Sequence, residues 1–210
     1  EGLALPAGIG AGPLFARWET PMARSGFVPL VVSKSAAEGD YDQLFIDANA
    51  NGSLADESAT KPTRVDQAGA QFSCVKIVFP SGDGPIAYHL SMEIYSYAGR
   101  RMLAIAGNCW YEGRVKIGGK EYECALIDYD CNGTFDDVSM DQGRCDMIRI
   151  GGKQTELKHA GKYAQVDDKL YLMRIARDGA FVTFEDPGAV PMGSIVIADR
   201  VSHLSVAGEN

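Results

Sequence analysis

The sequence predicts an all-β chain: an antiparallel β-sandwich or barrel rich in hairpins. Three observations carry the prediction. No window of about 11 residues or more keeps the apolar period of an amphipathic helix. Residues 86–97 alternate well, with Ile86, Tyr88, Leu90, Met92 and Ile94 on one face and His89, Ser91 and Glu93 on the other. Apolar runs are separated by the words Gly118-Gly119, Asp167-Asp168 and Asp178-Gly179, residue types that tolerate the positive φ of tight hairpin turns.

Taken in order, residues 1–26 form a Gly/Ala/Pro-rich N-terminal segment, either a flexible lead or a strand along an edge. Phe27, Val28, Leu30, Val31 and Val32 read as a strand, and Pro29 within it argues for an edge strand or for the first residues of one, because proline cannot donate to a ladder. Residues 72–79 place Val75, Ile77 and Phe79 on one face with Lys76 opposite. The 86–97 strand turns at Ala98-Gly99-Arg100 into residues 102–106, a long hairpin. Further hairpins are expected at Gly118-Gly119, at Gly151-Gly152, at Asp167-Asp168 and at Asp178-Gly179. Residues 194–198 and 201–206 read as short closing strands. The expected division is a β-unit over 27–110 and a hairpin-rich β-unit over 111–210, which allows two β-subdomains.

One stretch stands apart chemically. After the apolar Ala125-Leu126-Ile127 come Asp128, Asp130 and Asn132 at alternate positions, then Gly133, Thr134, Asp136 and Asp137. Oxygen-bearing side chains spaced in this way wrap a hard cation; calcium takes six to eight oxygen ligands at about 2.3–2.6 Å. Alone, such a stretch equally suits a solvated hairpin turn. A second copy changes the weighing: residues 41–56 align on 122–137 without a gap, at a constant offset of 81. Its ligand positions are Asp47, Asn49, Asn51, Ser53 and Asp56. In both copies a glycine supplies the sharp turn and a bulky apolar residue (Leu54, Phe135) follows two positions later.

These stretches resemble the EF-hand-like calcium loops of secreted bacterial proteins, the wider class that includes dockerin and thrombospondin type 3 loops. The resemblance covers two short segments only. It departs from the helix-loop-helix pattern in lacking the bidentate Glu at position twelve, where Ser58 and Ser139 stand. The preceding runs are short, so the loops are expected to leave strands. The resemblance implies two calcium sites, with Ser53 and Thr134 giving backbone carbonyls. The second site, richer in carboxylates, is expected to be the tighter. Loops of this kind suit millimolar calcium, which places the protein outside the cell, on its surface or in the periplasm.

Composition narrows the function classes. A formal charge of −8 with no basic run beyond Arg100-Arg101 argues against nucleic acid as a partner. No apolar stretch approaches the roughly 20 residues of a spanning helix. Cys74, Cys109, Cys124, Cys131 and Cys145 match no zinc spacing; at least one disulfide near the second loop is expected, with free buried thiols as the alternative. His89, His159 and His203 sit in no catalytic motif, and no nucleophile elbow, P-loop or zinc-protease signature is present.

The reading that follows is an exported, calcium-stabilised structural or adhesive module, self-assembling as a homo-oligomer or filament through extended termini. The alternative is a calcium-supported carbohydrate-binding module acting on surface glycans. Its stacking residues would be Tyr95, Tyr97 and Trp110, with Trp18 and Tyr111 as further candidates. A hydrolase is the third reading.

Overall fold

The computed structural model describes residues 3–67, 69–81, 84–139, 142–188, 192–197 and 200–205, the last two ranges as backbone only. Chain order runs β1 (Ala11–Glu19), β2 (Phe27–Lys34), β3 (Gln43–Ile46), β4 (Arg64–Val65), β5 (Gly69–Phe79), β6 (Ile86–Tyr97), β7 (Arg100–Gly107) and β8 (Tyr111–Ile117). It continues with β9 (Lys120–Ile127), β10 (Met147–Ile150), β11 (Lys158–His159), β12 (Tyr163–Val166), β13 (Lys169–Ile175), β14 (Val182–Glu185), β15 (Met192–Ile197) and β16 (Arg200–Ser205). The all-β class holds. Among the described residues the only helical element is the single 3-10 turn Gln142–Arg144.

The strands form open antiparallel sheets ordered β1-β2-β3, β4-β5-β6-β7, β11-β10-β9-β8, β12-β13-β14 and β15-β16. None closes on itself, so the barrel alternative is not realised. The main core cluster draws Trp18, Leu30, Phe72, Tyr88, Leu126, Phe135, Ile148 and Met173 together from both halves of the chain. Each large apolar side chain taken fully from water contributes about 1.5–3 kcal/mol.

Local chemistry explains most of the strands. The face of β6 that carries Tyr88, Leu90, Met92 and Ile94 is buried. Two-residue turns close β6–β7 at Ala98-Gly99, β8–β9 at Gly118-Gly119 and β12–β13 at Asp167-Asp168, and every turn residue has positive φ. In β5 the buried positions switch from Ala70 and Phe72 to Val75, Ile77 and Phe79. The switch is a bulge between Phe72 and Val75, with Cys74 at φ 55. One extra residue there returns Val75 to the core face.

Of the two readings of the N-terminal segment the edge strand is realised over Ala11–Glu19, where β1 pairs with β2 at the edge of its sheet. Several expectations are corrected. β2 is the middle strand of its sheet, not an edge. Pro29 is tolerated because it lies just beyond the β2–β3 ladder, which begins at Leu30↔Ile46; there its carbonyl accepts from Asp47 N at 3.1 Å. Gly151-Gly152 does not make a tight hairpin: β10 pairs with β11 only through Met147 and Ile148, after a longer loop. Gly151 N instead extends the sheet by donating to Glu123 O at 2.8 Å. The backbone of β15 and β16 matches the closing strands expected from sequence; Ala198 and residues 206–210 lie outside the described residues.

No disulfide is formed. All five cysteines are free. Cys74 is exposed at the β5 bulge, Cys124 faces the core from β9, and Cys109 and Cys131 pack against the main core. Buried Cys145 contacts His159 Nδ1 at 2.9 Å. Burial pushes the thiols of Cys109, Cys124, Cys131 and Cys145 up, Cys124 to about 11 and Cys131 to about 12.

Candidate metal centre

Both Asp-Asn-Gly stretches leave the ends of strands, as expected: Asp47 follows β3 and Asp128 follows β9. In each, the first Asp is buried and its carboxylate turns the chain over itself. Asp47 accepts from Asn51 N at 2.9 Å and Gly52 N at 2.7 Å. Asp128 accepts from Asn132 N at 3.2 Å and Gly133 N at 2.6 Å. Positive φ recurs at the same loop positions, Ala50 with Cys131 and Gly52 with Gly133. The offset of 81 in sequence is therefore an offset in conformation as well.

The resemblance extends to how each loop is anchored. Leu54 and Phe135 are buried, and their backbone N–H groups reach remote carbonyls: Leu54 N to Ala4 O at 3.0 Å, Phe135 N to Arg177 O at 2.9 Å. Each loop is closed by the Asp at its tenth position. Asn49 and Asn51 donate to Asp56 at 2.9 and 3.0 Å, and Asn132 donates to Asp137 at 3.0 Å. Ser53 Oγ accepts from Ala55 N. The buried Thr134 hydroxyl bonds Asn132 Oδ1 and Asp137. Asp136 is exposed on the rim of a groove with Val138 and Phe181, so of the two alternatives it is Asp137 that joins the loop's bonding network.

Each loop recruits a carboxylate that the alternate-position pattern does not contain. Asp146, fully buried after the 3-10 turn, accepts from Tyr129 N at 3.3 Å and Asp137 N at 2.8 Å. Glu57 accepts from Ala48 N at 2.8 Å. Ala48 and Tyr129 occupy the same loop position, so Glu57 and Asp146 fill one structural role from unrelated places in the chain. Nothing around Asp146 in the sequence signals this. Glu57, next to Asp56, was visible but fell one position short of the expected Glu.

The second loop gathers the stronger charge. Oxygens of Asp128, Asp130 and Asp146 lie within 4.8 Å of one another, two of the three residues being buried. Among the described residues no Lys or Arg forms an ion pair with them. Burial, then the neighbouring Asp128 and Asp137, pushes Asp130 up to about 6 and Asp146 up to about 7. Desolvated like charges this close need a proton or a cation. The cluster can hold a metal ion. In the first loop Asn49, Asn51 and Asp56 are exposed, and burial with Asp56 and Asp47 pushes Glu57 up.

The second loop is also wired to the core. Tyr88 OH donates to Asp128 Oδ2 at 2.7 Å, and its proton is held more tightly through burial and that carboxylate. Trp18 Nε1 donates to Cys131 O at 2.7 Å, and its ring stacks on Tyr88 at 5.3 Å. Trp18 is thus 4% exposed, which removes it as a stacking residue for a ligand.

The other aromatic candidates are exposed but not assembled. Tyr97 and Trp110 are 71% and 60% exposed, and Tyr95 is half-buried. Tyr95 and Tyr97 pair with Met102 and Arg100 near the β6–β7 turn, whereas Trp110 follows Gly107 at the far end of that hairpin. At about 3.3 Å per strand residue, they do not line one platform.

Comparison with protein-family models, with curated proteins and with solved structures gives no match. The functional reading rests on this geometry.

Proposed function

We propose that this chain is a calcium-stabilised β-module with one cation in each loop, serving a structural or adhesive role outside the cell. The observation that carries the reading is the convergence of Asp128, Asp130 and Asp146 at the second loop. Its candidate donors are carboxylate, amide and hydroxyl oxygens, the set that suits a hard cation. Calcium is favoured over magnesium because a loop of irregular donors fits a flexible shell of six to eight oxygens better than a strict octahedron. The second loop offers Asp128, Asp130, Asp137 and Asp146, the first only Asp47, Asp56 and Glu57, so the second site is the tighter.

Such ions act as staples. The second joins the end of β9, the 3-10 turn and, through Tyr88 and Trp18, the N-terminal strand. Binding to the folded state stabilises by mass action, about 2.7 kcal/mol per site at a hundredfold excess over the dissociation constant. The test is thermal unfolding in calcium and in chelator. A higher melting temperature in calcium supports the reading; identical curves sink it.

A further inference from the structure

A sheet edge offers hydrogen bonds to whatever strand reaches it, and folds usually blunt such edges. This fold blunts most of its own. β1 carries Pro13 and a register shift between Ala11 and Leu14. β3, β4, β11, β12 and β14 have four residues or fewer, and β14 lies alongside β8. β15 and β16 form a two-stranded sheet of six-residue strands; β7 is longer, with eight residues, no proline and no bulge, and is paired to β6 on one side only. Its charges, Arg100 and Arg101, stand at its start, and residues 102–107 are uncharged.

The direction of its backbone groups follows from the ladder. Asn108 N donates to His89 O at 2.8 Å in the continuation of the β6–β7 pairing. Hydrogen-bonded pairs alternate along an antiparallel ladder, so Arg100, Met102, Ala104 and Ala106 bond β6. Arg101, Leu103, Ile105 and Gly107 turn their N–H and C=O groups to the free edge. Leu103 and Ile105 are half-buried against the core, whereas Met102, Ala104 and Ala106 are exposed on the outer face.

We infer that β7 is the docking edge for a second copy of this chain, pairing antiparallel with its own counterpart about a two-fold axis at Ala104. Self-pairing is favoured because the edge is complementary to itself in this register. Arg101 falls opposite Gly107 and Leu103 opposite Ile105, so all four outward-facing residues bond. Met102 meets Ala106, Ala104 meets Ala104, and Arg100 meets Asn108. No like charges are apposed, and shifting the register by two residues leaves Arg101 or Gly107 unpaired. Two four-stranded sheets become one continuous sheet, a strand-addition mode of recognition. The inference goes beyond the calcium reading and stands separately from it.

The test is particle mass by analytical ultracentrifugation of the whole chain, with calcium and with chelator. The expected result is a concentration-dependent doubling of mass, lost in Ala104→Lys. That side chain is exposed, so the monomer keeps its fold and melting temperature, yet like charges would face each other across the axis, which destabilises a cross-strand pair. Self-facing non-hydrogen-bonded residues lie about 4.5 Å apart between Cα atoms, within disulfide range. Ala104→Cys should therefore give an oxidised dimer above the parent's background, and Ala106→Cys should not. A monomer at the highest soluble concentration overturns the inference. So does association that survives Ala104→Lys, or equal crosslinking by the two cysteine variants.

Discussion

Asp146 belongs to the carboxylate cluster of the second loop and is the member its loop pattern does not contain. Asp146→Asn removes one negative charge while keeping size and shape. One amide oxygen remains to accept, where two carboxylate oxygens now take Tyr129 N and Asp137 N. One of those bonds is lost, costing about 1–3 kcal/mol if the donor stays buried and unpaired. Against that, removing a carboxylate from beside Asp128 and Asp130 relieves repulsion, so in chelator the variant should melt close to the parent. In calcium the two should part. Loss of the second site removes about 2.7 kcal/mol at a hundredfold excess. At roughly 2–4 °C per kcal/mol for a chain of this size, the calcium-dependent gain in Tm should shrink by about 5–11 °C. Differential scanning calorimetry in both buffers reads this directly. An unchanged gain in the variant refutes the assignment of Asp146 to the site.

Glu57→Gln should weaken the first site and leave the second intact, seen in calorimetric titration as loss of the weaker binding phase only. pH should act in opposite directions with and without the ion. Because Asp130 and Asp146 are raised to about 6 and 7 from 3.8, the native state holds more protons than the unfolded chain between about pH 4 and 7. Metal-free stability therefore falls as pH rises through that window. Calcium needs the deprotonated carboxylates, so its stabilisation grows over the same range; parallel pH profiles in calcium and chelator would contradict this. Cys74, the exposed thiol, should react with a thiol reagent in the folded protein well before Cys124 and Cys145, as peptide mapping after brief labelling would show.

The legible parts of the fold were those set by neighbouring residues. The alternation of Tyr88, Leu90, Met92 and Ile94 and the turns at Gly118-Gly119 and Asp167-Asp168 are local chemistry, and the structure keeps them. The two loops were legible for the same reason, since an Asp, an Asn and a Gly at short spacing fold upon each other. The β5 bulge had a local trace too, because the apolar positions change parity between Phe72 and Val75. What stayed hidden is long-range. Pro29 looked like an edge residue because sequence does not show that β3 ends opposite it. Trp18 looked like a free aromatic because its partner carbonyl lies 113 residues away. Asp146 comes beside Asp128 only once β10 has paired with β9, and Tyr88 only once the sheet of β6 has packed against theirs.

The most direct test of the central claim is calcium binding by the intact protein, measured by titration calorimetry after removal of metal. Two sites of unequal affinity are predicted, with Asp128→Ala abolishing the tighter and Asp47→Ala the weaker. A chain that binds no calcium would leave Asp47 and Asp128 as turn-forming residues and contradict the account.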